Sequence, residues 1–228
     1  MTTAPIPPDA PVAAGLRARK KARTRQAISD EATRLFLERG FDAVTLAEVA
    51  EAAGVSVKTI FNYFGSKEEL FLDREEMLHT AILEAVRARG AGVRVTHALR
   101  RLFTEARMPD GTGWDPLFDR DRYALFRRFL EVWHESPPLQ GRYLSSNERL
   151  QELLAPELAA ELGRPEDDDE VRMFAAMLVA AFHRRMTVLS GMVLAGATPE
   201  APRGRVAAAT TVGLARVALA LPHLDPPG

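Results

Sequence analysis

Lys58, Thr59, Asn62 and Tyr63 place a cation, a hydroxyl, a carboxamide and a phenol within one short stretch. Side chains of these kinds hydrogen-bond to phosphate oxygens and to the edges of bases. At helical spacing Ile60 and Phe64 turn toward a core, which leaves Val57, Lys58, Thr59, Asn62 and Tyr63 facing outward. Thr45, Ser56 and Lys67 stand where three candidate helices begin. Unpaired N–H groups at a helix start attract anions, and a lysine there is disfavoured unless an anion lies close. At Lys67 a bound phosphate would supply that anion. Upstream, Arg17, Arg19, Lys20, Lys21, Arg23 and Arg25 form a run with no acidic residue among them. An arm carrying Arg23 is therefore expected to reach a minor groove or flanking phosphates.

These groups need short elements at fixed angles, and the sequence has the signals for them. Ile28, Ala32, Leu35 and Phe36 make the apolar side of a helix that Gly40 stops. Thr45-Leu46-Ala47-Glu48 is a capping box, since the threonine hydroxyl and the glutamate can satisfy each other's backbone N–H. Gly54 permits a sharp turn, Ser56 caps a second short helix, and Gly65 ends it. Ser66-Lys67-Glu68-Glu69 is another capping box and opens a helix expected to reach Arg89. A capped helix, a glycine turn and a two-turn helix make a helix-turn-helix, whose second helix fits a DNA major groove.

From the helix before Gly40 to Leu70, the chain resembles the N-terminal domain of the tetracycline-repressor (TetR) family. Gly40-Phe41, Thr45-Leu46, Ala53-Gly54-Val55-Ser56, Phe61-Asn62-Tyr63-Phe64 and Lys67-Glu68-Glu69-Leu70 carry the likeness. Phe61 stands where many members have tyrosine, so no polar role passes to it. Asn62 stands where histidine is common and retains the capacity to donate to phosphate or to read adenine. The resemblance implies a DNA-binding transcription regulator, a repressor more often than an activator, whose C-terminal domain binds a ligand and dimerises. It implies contacts to double-stranded DNA from Arg23, Thr45, Ser56, Val57, Lys58, Thr59, Asn62, Tyr63 and Lys67.

The rest of the chain reads as helices separated by loops, with no strand pattern and no internal repeat. The expected fold class is all-α with about nine helices. Residues 1–16 are expected to be a disordered tail, 17–66 a helix-turn-helix domain, and 67–228 a helical regulatory and dimerisation domain. Breaks are expected at Met108–Gly113, at Pro137-Pro138, near Pro156, at Gly163-Arg164-Pro165 and at Gly196–Pro202. Small residues crowd two late helices near 167–195 and 203–221: Ala175, Ala176, Ala180, Ala181, Ala207, Ala208, Ala209, Gly213 and Ala215. With the resemblance, they point to a homodimer through a four-helix interface. Its two recognition helices would face successive major grooves of a palindromic operator, about 34–36 Å apart.

An unidentified small-molecule effector is expected to meet Phe103, Phe126, Phe129, Trp133, His134, Phe174, Met177 and His183, with Trp114, Phe118, Tyr143 and Phe182 as further aromatic candidates. Core packing is the competing role for each.

Net charge is −1, so any polyanion binding must come from local asymmetry: the basic run against Glu166-Asp167-Asp168-Asp169-Glu170. The acidic run lacks the spacing and central glycine of a calcium loop and precedes a helix whose dipole it complements. The absence of cysteine excludes disulfides, thiolate metal sites and a cysteine nucleophile. No metal, cofactor or catalytic constellation is expected, and the chain is read as not an enzyme. No uninterrupted apolar run reaches the 18 or so residues of a membrane helix, and no signal-peptide core is present, so a cytoplasmic location is the default. The alternatives are a DNA-binding protein controlled by a protein partner, without a small effector, and an unrelated enzyme with an incidental helix-turn-helix.

Overall fold

The computed structural model describes residues 10–104 and 120–226. These residues form ten α-helices and no strand: α1 Ala10–Arg39, α2 Leu46–Ala52, α3 Val57–Phe61, α4 Lys67–Phe71, α5 Asp73–Arg87, α6 Val95–Thr104, α7 Arg120–Glu135, α8 Pro137–Leu162, α9 Asp169–Leu194 and α10 Pro202–Ala220. They divide into two compact units, Met1–Phe71 and Leu72–Gly228. Residues 1–9 of the expected tail, the Met108–Gly113 loop, Trp114 and Phe118 lie outside the described residues.

The N-terminal unit is built on three aromatic rings. Phe36 lies 5.3 Å from Phe41 and 5.7 Å from Phe71, and Phe41 lies 5.8 Å from Phe71 edge-on. Ile28, Ala32, Val44, Val49, Ile60 and Leu70 complete this core. The helix expected to run from Ser66 to Arg89 is interrupted at Leu72, whose φ of −94° and ψ of 26° leave the helical range. Leu70 and Phe71 are buried within the first unit, so α4 belongs there and the boundary falls after Phe71 rather than after residue 66. That split accounts for the tenth helix. Helix also begins at Ala10, so residues 10–16, read as tail, are helical and continuous with the basic run. Alanine, arginine and lysine are strong helix formers and need no apolar periodicity to extend a helix.

In the second unit α8, α9 and α10 pack around Leu154, Leu158, Val171, Phe174, Leu178 and Leu214. Pro137-Pro138 separates α7 from α8 as expected and sits in the first turn of α8, because a proline there gives up an N–H that has no partner. Pro156 is accommodated inside α8, which runs on to a left-handed Gly163 cap at φ 62°. Asp168 caps α9 by accepting from the backbone N–H groups of Glu170 (2.9 Å) and Val171 (3.1 Å). Arg164 pairs with Asp168 and Glu170, so Asp168 both caps the helix and joins an ion pair, while Glu170 is ion-paired in its first turn. Among the described residues α9 alone is long and apolar enough to cross a bilayer by length and composition. Its buried face fills this core.

The C-terminus ties back to α6. Asp225 is fully buried, and its carboxylate accepts from the Thr96 N–H (3.2 Å) and hydroxyl (2.5 Å). It satisfies a backbone N–H at the buried start of α6 as a cap would, from far along the chain.

Candidate nucleic-acid interface

The predicted caps are present. Thr45 Oγ1 accepts from Glu48 N at 3.3 Å, and Glu48 Oε2 accepts from Thr45 N at 2.8 Å. Arg39 pairs with the same carboxylate at 2.7 Å. Hydrogen bonds from the Thr45 backbone and hydroxyl, and then from Arg39, hold the Glu48 carboxyl down at about 2. Gly54 turns the chain at φ 63°, a conformation that L side chains rarely adopt. Ser56 then caps α3, with its Oγ 3.0 Å from Thr59 N and 2.8 Å from the Thr59 hydroxyl. Ser66 accepts from Glu69 N (3.1 Å), while the Glu69 carboxylate reaches back to Gly65 N (2.7 Å).

Helix α3 spans only five residues and cannot persist without tertiary support. Ile60 at 0% exposure and Phe64 at 2% anchor it, as the spacing requires. Val57, Lys58 and Asn62 stand on the surface, while Thr59 and Tyr63 are half-buried. Ser56 and Thr45 are exposed at their caps, and Arg23 is exposed on α1. The interface is therefore a polar and basic ledge on a buried apolar base.

Three features were not read from the sequence. Arg25 folds back from the basic run: its Nη1 donates to the Tyr63 carbonyl at 2.7 Å and its guanidinium stacks 4.3 Å over the Phe64 ring. Lys67 extends its ammonium 4.2 Å over the Phe41 ring, where burial pushes its pKa down while Asp42, Glu68 and Glu48 pull it up. Phe61, to which no polar role was given, is 54% exposed.

In the second unit the candidate effector residues divide. Trp133 lies edge-on to Tyr143 at 5.5 Å, and Tyr143 lies 5.7 Å from His183, so three helices contribute one aromatic wall. Phe103 pairs with Phe182 at 4.7 Å beneath Arg185. Phe126 and Phe129 stack on α7 at 6.4 Å. Met177 is partly buried against the main core, Phe174 lies wholly inside it, and His134 is exposed. Beside the wall, the Ser146 hydroxyl hydrogen-bonds Glu75 and lies 3.3 Å from His79 Nε2. Burial pushes the Glu75 carboxyl up to about 7, against Ser146 and Arg142. Burial pushes the His79 imidazole down to about 4, assisted by Arg149 and Arg142. Trp133 Nε1 is buried without a hydrogen-bond partner among the described residues. No group of three histidine, aspartate or glutamate side chains among them could hold a metal ion.

The profile of bacterial regulatory proteins of the tetR family matches residues 28–73. The HTH-type transcriptional regulator TcmR of Streptomyces glaucescens is 34% identical over 172 residues, covering 74% of this chain and 73% of that protein. The chain belongs to the TetR family. A TetR-family protein is a DNA-binding transcriptional regulator, which removes the enzyme alternative. The HTH-type transcriptional repressor AcnR of Corynebacterium glutamicum is 44% identical over 53 residues, covering 23% of this chain and 28% of that protein. A solved complex of SmeT from Stenotrophomonas maltophilia with triclosan shares the TetR fold: TM-score 0.51, 19% identity, 87% of this chain and 91% of that one.

Proposed function

We propose that this TetR-family regulator is a ligand-responsive repressor that binds a palindromic operator as a homodimer. The observation that carries the reading is α3, which exposes Lys58 and Asn62 while Ile60 and Phe64 lock its opposite side into the core. Such a helix presents hydrogen-bonding groups to a major groove at a set height and angle. Lys58, Thr59 and Asn62 read bases; Thr45, Ser56, Tyr63, Lys67 and Arg23 hold phosphates, with Val57 at the start of the helix. AcnR is named a repressor, and repression is the regulatory sense proposed here.

The dimer forms through the outer faces of α9 and α10. Met173 and Ala180 are exposed on α9, and Ala208, Val212, Ala215 and Leu219 on α10. Exposed apolar residues at three- and four-residue intervals suit a helix-on-helix seam. The effector meets the wall of Trp133, Tyr143 and His183. SmeT, of this fold, has been solved with triclosan, and a small molecule is the proposed effector here too. It releases DNA by binding more tightly to a conformer whose two recognition helices are wrongly spaced.

The test is selection of bound duplexes from a random pool with the full-length protein, then titration of the selected site with candidate small molecules. A palindrome bound by a dimer and released by a ligand is the expected outcome. A monomer in sedimentation, or unchanged affinity in Lys58→Ala, Thr59→Ala and Lys67→Ala alike, rejects it.

A further inference from the structure

Val57 and Phe61 lie one helical turn apart, and both are exposed, at 36% and 54%. At i and i+4 they project from the same side of α3, beside the polar Lys58 and Asn62. An isolated exposed apolar residue needs no explanation. Two on a five-residue helix anchored on its other side by the buried Ile60 form an apolar strip on the element proposed to enter the groove. Phe61 has no hydroxyl and cannot bond a phosphate. The apolar group that the major groove offers at base edges is the thymine 5-methyl.

We infer that Val57 and Phe61 read thymine methyl groups in each half-site, so that this strip and the polar residues beside it together set the sequence preference. The inference rests on α3 being the recognition helix. Four residues of helix advance about 6 Å, close to two base-pair steps at about 3.4 Å each. The two thymines therefore lie about two base pairs apart. Each methyl adds apolar burial but no hydrogen bond, so it sharpens preference without altering the salt dependence set by phosphates.

Uracil tests this directly, because it pairs as thymine does and lacks only the 5-methyl. A duplex recovered by selection is remade with uracil at one thymine at a time, and its affinity for wild type, Val57→Ala and Phe61→Ala is measured by fluorescence anisotropy. Wild type loses about fourfold in affinity for each contacted methyl removed. Phe61→Ala becomes indifferent to uracil at one position and stays sensitive at the other, and Val57→Ala shows the reverse. Both residues are exposed, so unchanged circular dichroism and melting temperature are expected. If wild type binds the thymine duplex but no uracil position matters, the inference is overturned and the regulator reading stands. Uracil sensitivity that survives unaltered in both variants overturns the residue assignment. Failure to bind any duplex rejects the regulator reading and this inference together.

Discussion

Arg25 and Tyr63, 38 residues apart, are joined by a 2.7 Å hydrogen bond from the guanidinium to a main-chain carbonyl just beyond α3. The same guanidinium covers Phe64, the ring that closes the α3 base. A residue within the basic run thus serves as a clamp beside α3. Hydrogen bonds from charged donors contribute about 1.5–3 kcal/mol and cation–π contacts about 0.5–1 kcal/mol at exposed sites. Arg25→Ala should lower the thermal midpoint of the N-terminal unit by a shift equivalent to about 2 kcal/mol. Arg25→Lys should recover part of it, since an ammonium donates without the planar fork. An unchanged melting curve in both variants would show that the clamp contributes nothing.

Lys67 gives a prediction in the salt dependence of binding. Its ammonium rests over Phe41, pushed toward neutrality by burial and restored by Asp42, Glu68 and Glu48. A phosphate at the start of α4 would complete its surroundings. Lys67→Ala should weaken binding about equally across sites and flatten the plot of log affinity against log salt by about one unit. Lys58→Ala should instead relax preference among bases. Equal slopes for Lys67→Ala and wild type would remove Lys67 from the phosphate contacts.

Glu75 and His79 oppose each other as pH changes. The folded protein holds the Glu75 carboxyl at about 7, above its ordinary 4.5, so the stability tied to this group is full below 4.5 and is lost as pH rises to about 7. It holds His79 at about 4, below 6.5, so the stability tied to that group is full above 6.5 and is lost as pH falls to about 4. Between 4.5 and 6.5 the slopes cancel in part. Urea unfolding of Glu75→Gln should then show stability rising with pH from about 4 to about 6.5, with the His79 slope unmasked. Variant and wild-type profiles of the same shape would contradict this.

The small residues of α9 and α10 divide between two surfaces. A Cβ on Gly213 would sit 3.2 Å from Ala181 Cβ, so this pair packs inside the protomer. Ala180, Ala207, Ala208 and Ala215 face outward. Ala208→Glu should give a folded monomer in sedimentation velocity with reduced operator affinity. Gly213→Leu should leave the dimer seam alone and destabilise the unit by about 1–3 kcal/mol through overpacking. A dimeric Ala208→Glu protein would move the interface elsewhere.

What the sequence determined by itself was local. Thr45 with Glu48, the Ser56 cap, and the turns at Gly40 and Gly54 all join atoms within a few residues, so residue type and spacing specify them. The buried sides of α1 and α3 were legible for a related reason: Ile28, Ala32, Phe36, Ile60 and Phe64 recur at the period of a helix. The path of the chain decided the rest. Arg25 reaches Tyr63, and Asp225 reaches Thr96 across 129 residues, only because the folded backbone brings them together. Residue type could not show that Phe61 lies outside, since it is apolar yet 54% exposed. Nor could it separate the alanines of the protomer core from those on its surface, since small side chains carry little hydropathy signal and only packing assigns them a side. Nor was the break legible at Leu72, which directly follows Phe71, a ring packed against Phe36 and Phe41.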